Sequence, residues 1–167
     1  NVETGKAEYL PITDMKEEID RMRASASLPL VSKIVKTAGM KLLDGGCTDS
    51  IPVKAFAKMG YNKDVVVLTR HKGYRKEKEG ISLTKLVYRK YPEFVKAVYK
   101  RPDVYNHTLD EIEKWEKEGK IFVIRPSVPL TISRTSRSAE EIEKTYQVGV
   151  LDAKKQMAAL KEWLDIG

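Results

Sequence analysis

The stretch Lys41-Leu42-Leu43-Asp44-Gly45-Gly46-Cys47-Thr48-Asp49-Ser50-Ile51-Pro52 constrains this chain more than any other. A short apolar run ends in a carboxylate, two glycines follow at once, and a helix-start signal comes next. Leu42 and Leu43 read as a buried strand, because a parallel strand covered on both faces shows a continuous apolar run. Gly45 and Gly46 let the backbone turn with positive φ or approach another segment closely. Ser50 can cap a helix, and Pro52 suits its first turn. Two roles fit Asp44. It can close an Asx-turn at a strand end, or present a carboxylate at the carboxyl end of a strand, where open α/β sheets hold ligands.

With 167 residues, 41% of them hydrophobic, the chain has the length of one domain and can build a real core. It has no apolar run of ~18 residues, the length a membrane-spanning helix needs. The lone Cys47 excludes an internal disulfide and fits a reducing compartment. With only His71 and His107 beside it, no zinc spacing exists, and no metal or organic cofactor is expected. The net charge of +7 points weakly to an anionic partner. No Met or signal peptide opens the chain at Asn1, which reads as the middle of an element or a turn between strands, and hence as a fragment.

Glu8-Tyr9-Leu10 reads as a short strand. A helix follows from Asp14, with Asp14 and Glu17 at capping-box spacing and Met15, Ile19 and Met22 on one face. Pro29 ends the small-residue segment Ala24-Ser25-Ala26-Ser27-Leu28-Pro29. After Pro52, Val53, Phe56, Ala57 and Met59 form a short helix closed by Gly60. Asn62-Lys63-Asp64 is a turn, and Val65-Val66-Val67-Leu68 is the strongest strand signal. Strand, helix and strand then make a parallel βαβ unit. Residues 70–80 form a basic loop, with Arg70, Lys72, Arg75, Lys76 and Lys78 as candidate contacts to anionic head groups, or simply as solvated charge.

Leu83, Leu86, Val87 and Tyr91 make an apolar stripe stopped before Pro92, and Phe94, Val95, Val98 and Tyr99 another, stopped before Pro102; both read as core. Thr108 and Glu111 have capping-box spacing for a helix ended by Gly119. Ile121-Phe122-Val123-Ile124 is a third buried strand, and residues 130–133 read as an edge strand. Ser138 and Glu141 cap a final helical region, one long helix or two with a bend at Gly149. Three confident strands are few for a parallel sheet, so further strands are expected upstream of Asn1.

The order of these signals resembles the C-terminal half of a bacterial patatin-like phospholipase, a group of serine esterases. Asn1-Val2-Glu3-Thr4-Gly5-Lys6 resembles that family's Thr-Asn-x-x-Thr-Gly hairpin, and Ala24 to Pro29 its Ala-Ser-x-Ser-x-Pro segment. Asp44-Gly45-Gly46, with Asp49 and Pro52, resembles its Asp-Gly-Gly motif, and Val65 to Arg70 the strand after it. Tyr105-Asn106 and Tyr146-x-x-Gly149 fit the bacterial subgroup. The resemblance implies a partial three-layer α/β/α fold with a mostly parallel sheet, its N-terminal strands missing, and a helical C-terminal part. Residues 1–167 are then the C-terminal part of one such domain: 1–70 complete the catalytic core, and 71–167 add the basic loop, helices, a strand and the last helix.

What the resemblance implies for chemistry is a Ser–Asp dyad, with Asp44 as its carboxylate and Gly45 and Gly46 as the motif beside it. A carboxylate of ordinary pKa, about 4, is a weak base for an alcohol, so proximity and oxyanion stabilisation carry much of the effect. The chain departs from the family in having no Gly-x-Ser-x-Gly elbow and no Gly-rich oxyanion loop. It therefore reads as part of an acyl-ester hydrolase, inactive alone, whose partners are a lipid or other acyl ester and an anionic membrane surface. No nucleic-acid partner is expected, self-association is, and the expected location is cytoplasmic or peripheral to a membrane. The alternative is a non-catalytic module that binds anions or membrane surfaces through the basic loop.

Overall fold

The structure is a computed structural model, and it describes residues 1–61, 63–133 and 136–165; the turn expected at Asn62 involves a residue outside that set. The chain divides into two compact units, Asn1–Pro52 with Lys76–Leu109, and Val53–Arg75 with Asp110–Gly167.

In the first unit, helix α1 spans Met15–Ser25. The Asp14 side chain caps it by accepting the N–H groups of Lys16 and Glu17. The reciprocal bonds come from Glu18, not Glu17: its Oε2 accepts from Thr13 N (2.6 Å) and Asp14 N (3.2 Å). Ala24 is the buried residue of α1, while Met15, Ile19 and Met22 are exposed. Strands β1 (Val35–Thr37) and β2 (Met40–Leu42) form an antiparallel hairpin, Val35 opposite Leu42 and Thr37 opposite Met40. Its two-residue loop puts Ala38 (φ 52°) and Gly39 (φ 71°) in the left-handed region, the geometry that matches strand twist in tight hairpins.

This hairpin explains the apolar Leu42-Leu43 run differently from the parallel-strand expectation. Leu42 packs with Ala24 and Val35, whereas Leu43, one residue on, packs with Val2, Cys47, Tyr88 and Phe94. Successive side chains point to opposite faces, and here each face has its own core. Val2 N donates to Lys41 O (2.9 Å), fixing the N-terminal turn beside β2. Gly5 has φ +66°, and a Cβ there would lie 2.4 Å from Glu93 O, so both conformation and close approach require glycine.

Helix α3 (Ser82–Val87) packs Thr84 inward, and Tyr88, just past its end, is buried as well. Leu83, Leu86 and Val87, expected in the core, point outward. The Tyr88 hydroxyl accepts from Leu30 N (2.9 Å), and its ring meets Phe94 edge-on at 5.0 Å. Helix α4 runs Pro92–Lys117 straight through Pro102. An interior proline costs about 3 kcal/mol, and it is tolerated because apolar stripes on both sides are buried, Phe94 before it and Leu109 and Ile112 after. Thr108 is consequently mid-helix, its Oγ1 donating to Val104 O (3.0 Å) rather than capping.

In the second unit, α2 spans Val53–Ala57 and ends in a turn at Gly60, φ +85°. Strand β3 (Asp64–Val67) pairs in parallel with β4 (Ile121–Ile124), Val65 opposite Phe122. Gly119, φ +69°, closes α4 before β4. Helix α5 is one continuous helix, Ala139–Leu164, capped by Ser138 Oγ accepting from Glu141 N. The buried Asp152 of α5 holds the chain after β4 through Ser127 N (2.8 Å).

The expected single, mostly parallel sheet of a three-layer patatin-like fold is therefore corrected. The described residues form two two-stranded sheets, β1–β2 antiparallel and β3–β4 parallel. The Ala38-Gly39 turn pairs β2 with β1, β3 pairs with β4 instead of β2, and the expected βαβ unit between β2 and β3 does not form. Residues 8–10 and 130–133, expected as strands, have no regular structure.

Candidate functional site

Asp44 stands one residue beyond the buried Leu43, with its main chain held on both sides. Its N–H donates to Ser27 O (2.9 Å), and its carbonyl accepts from Cys47 N (3.1 Å). The Ala24 to Pro29 segment thus fixes where the strand stops. Gly45–Cys47 then forms one 3₁₀ turn, with Asp44 as its N-cap. Asp44 Oδ1 accepts from Gly46 N at 2.7 Å, the Asx-turn that the sequence allows. The residue is half-buried, and Oδ2 takes no hydrogen bond among the described residues. The turn role weighed for Asp44 is therefore what its Oδ1 performs; the strand before it belongs to an antiparallel hairpin and not to an open parallel sheet.

The two glycines differ. A Cβ on Gly46 would lie 2.9 Å from Asp44 Oδ1, so a side chain there would push against the carboxylate. A Cβ on Gly45 would meet nothing within 4 Å, and neither residue has a positive φ. Gly45 is instead exposed backbone at the edge of a hollow of about 340 Å³. Leu10, Ile12, Met22, Leu43 and Phe94 give that hollow apolar walls, and Asp44, Thr48, Asp49 and Tyr9 give it a polar side.

Ser50 does not act as the sequence predicts. Ser50 Oγ donates to Gly46 O (2.7 Å) instead of capping a helix. Asp49 Oδ2 accepts the Tyr9 hydroxyl across 40 residues of sequence. Burial first, and the Asp49 carboxylate second, push the Tyr9 hydroxyl up to about 12. Cys47 is buried, and burial, reinforced by the charge of Asp44, pushes its thiol up to about 11. A thiol held protonated is a poor nucleophile. Arg101 of α4 was not marked by any local signal. Its Nη2 lies 3.8 Å from the position of a Gly46 Cβ, and its Nε is buried without a partner among the described residues.

The basic loop is largely engaged. Arg75 pairs with Asp110 (2.5 Å), Lys78 with Asp103 (3.1 Å), and the Arg70 guanidinium lies over the Tyr74 ring (4.9 Å). Asn106 grips the Lys76 backbone at both ends, Oδ1 accepting from its N–H (2.8 Å) and Nδ2 donating to its carbonyl (3.0 Å). The Tyr105-Asn106 motif thus has a structural task. Nothing in the structure explains the Tyr146 and Gly149 pair. Among the described residues no cluster of His, Cys, Asp and Glu could hold a metal ion, and no helix is long and apolar enough to cross a membrane.

Residues 91–165 match a family described as a domain of unknown function, DUF6363. No curated protein and no solved structure matches the chain.

Proposed function

We propose that this chain carries the acid–base carboxylate of a patatin-like acyl-ester hydrolase, with Asp44 as the Asp of a Ser–Asp dyad. The serine would come from sequence outside these residues, so the chain alone is inactive. The observation that carries the reading is the divided carboxylate: Oδ1 held by Gly46 N, Oδ2 unpartnered beside an apolar hollow. A dyad needs this, because one oxygen must be fixed so that the other can meet a hydroxyl in a defined direction. In the reaction, the serine oxygen attacks the ester carbonyl while its proton passes to Oδ2. The proton then leaves with the alcohol, giving an acyl-serine. Water repeats the sequence, releasing the acid and restoring both groups. Support comes from this local geometry and from the ordered motifs, while the two small sheets argue nothing for it.

The test is serine-directed labelling of the parent protein by a fluorophosphonate. A single adduct on the serine of a Gly-x-Ser-x-Gly segment upstream of Asn1 is expected, with none on the 167-residue chain. No such segment in the parent's coding sequence, or an adduct within residues 1–167, would sink the proposal.

A further inference from the structure

Helix α3 is turned inside out. Its apolar stripe faces solvent, with Leu83, Leu86 and Val87 58%, 66% and 54% exposed, while Thr84 and Tyr88 are 7% and 5% exposed on the other side. These three side chains follow helical spacing, i, i+3 and i+4, so they share one face. Close to them in sequence are Lys85, Arg89 and Lys90, all exposed and without an ion pair among the described residues. No carboxylate occurs from Ile81 to Tyr91; the nearest are the exposed Glu79 upstream and Glu93 downstream, which is held by Lys96 (2.6 Å). An exposed aliphatic face on a segment whose charges are all positive is matched by an apolar layer beneath anionic head groups.

We infer that α3 docks the chain onto an anionic phospholipid bilayer, with Leu83, Leu86 and Val87 entering the head-group boundary and Lys85, Arg89 and Lys90 meeting lipid phosphates. The contact lies on α3 and not on the 70–78 loop, where Arg75 and Lys78 are already paired. The back of α3 is anchored to take the load: Tyr88 packs in the same cluster as Leu43, Cys47 and Phe94. The inference goes beyond the Asp44 reading, and its test involves no hydrolysis, so either can fail alone.

The experiment is co-sedimentation of the 167-residue chain with vesicles of equal parts phosphatidylcholine and phosphatidylglycerol, against vesicles of phosphatidylcholine alone. Binding to the anionic vesicles is expected, weakening as salt rises. Replacing Lys85, Arg89 and Lys90 by Ser should lower it by on the order of 10²-fold, about 5-fold per cation. Replacing Leu83, Leu86 and Val87 by Ser should lower it at least roughly 10-fold, with circular dichroism and melting midpoint unchanged because the side chains are exposed. Leu86→Trp should add fluorescence that shifts to the blue when vesicles are present. Absent binding, equal binding to both vesicle types, or full binding after the aliphatic replacement would each overturn the inference. So would a dimer in solution that the same replacement dissolves, since the face would then belong to a second copy of the chain.

Discussion

Replacing Gly5 by alanine tests how the N-terminal turn is tied to α4. The perturbation has two parts. At φ +66° an alanine pays about 1–2 kcal/mol for the left-handed conformation. Its Cβ would also lie 2.4 Å from Glu93 O, roughly 1 Å inside an ordinary carbon–oxygen contact of about 3.3 Å. The blocking atom is main chain at the start of a long helix, so relief requires backbone movement, at about 1–3 kcal/mol. The expected loss is therefore about 2–5 kcal/mol, a large share of a typical stability of about 5–15 kcal/mol. Gly39→Ala is the matched control: its φ is +71° and a Cβ there meets nothing within 4 Å, so it pays the conformational part alone. Urea denaturation followed by far-ultraviolet circular dichroism measures both. If Gly5→Ala costs no more than Gly39→Ala, the close approach between the turn and α4 is wrong.

Further outcomes follow from other contacts. Asn106→Ala removes both bonds to the Lys76 backbone, worth about 0.5–1.5 kcal/mol each, and limited trypsin digestion should then cut faster at Lys76 and Lys78. Cys47, buried and with its thiol near 11, should resist alkylation by iodoacetamide at pH 8 and react fully in denaturant; rapid native labelling would contradict its placement. The carboxyl of Asp152 is held below its ordinary range, chiefly by the hydrogen bond from Ser127 N–H, with the Ser127 hydroxyl adding to it. A depressed folded-state value stabilises the fold above the unfolded value, about 3.9, and that contribution disappears as pH falls from there through the folded value. Asp152→Asn should therefore flatten the acid limb of the stability profile, and an unchanged acid limb would count against the Ser127 contact.

Much of the local structure was legible in the chain. Asp14 and Ser138 mark their helix starts, Gly60 and Gly119 mark ends, and the β-branched runs at residues 65–68 and 121–124 supply strands that pair with each other. What the sequence concealed depended on distant partners. Leu42-Leu43 looks like a doubly covered parallel strand, and only the separate clusters on either side reveal an antiparallel hairpin with two cores. Its turn was hidden because Ala38 carries no signal for a positive φ. Pro102 would end a helix in isolation, but burial on either side carries α4 through. The stripe at Leu83, Leu86 and Val87 has the period of a core helix, and periodicity alone cannot say which way a stripe faces. At the candidate site, the position of Asp44 after an apolar run and before glycines was readable, as was a turn role for its side chain. Tyr9 on Asp49 and Arg101 beside Gly46 were not, because both contacts join residues far apart in sequence.

The central claim is the role of the Asp44 carboxylate, and the most direct measurement is the rate of ester hydrolysis by the parent protein with Asp44→Asn. The change keeps the shape of the side chain and leaves an oxygen to accept from Gly46 N, so the 3₁₀ turn and the melting midpoint should persist. On the proposed reading it removes the group that takes the serine proton, and kcat should fall by on the order of 10² or more. Asp49→Asn, which alters the partner of Tyr9 at the same hollow, should cost much less. Hydrolysis that survives Asp44→Asn at the wild-type rate, in a protein that is fully folded, would contradict the assignment.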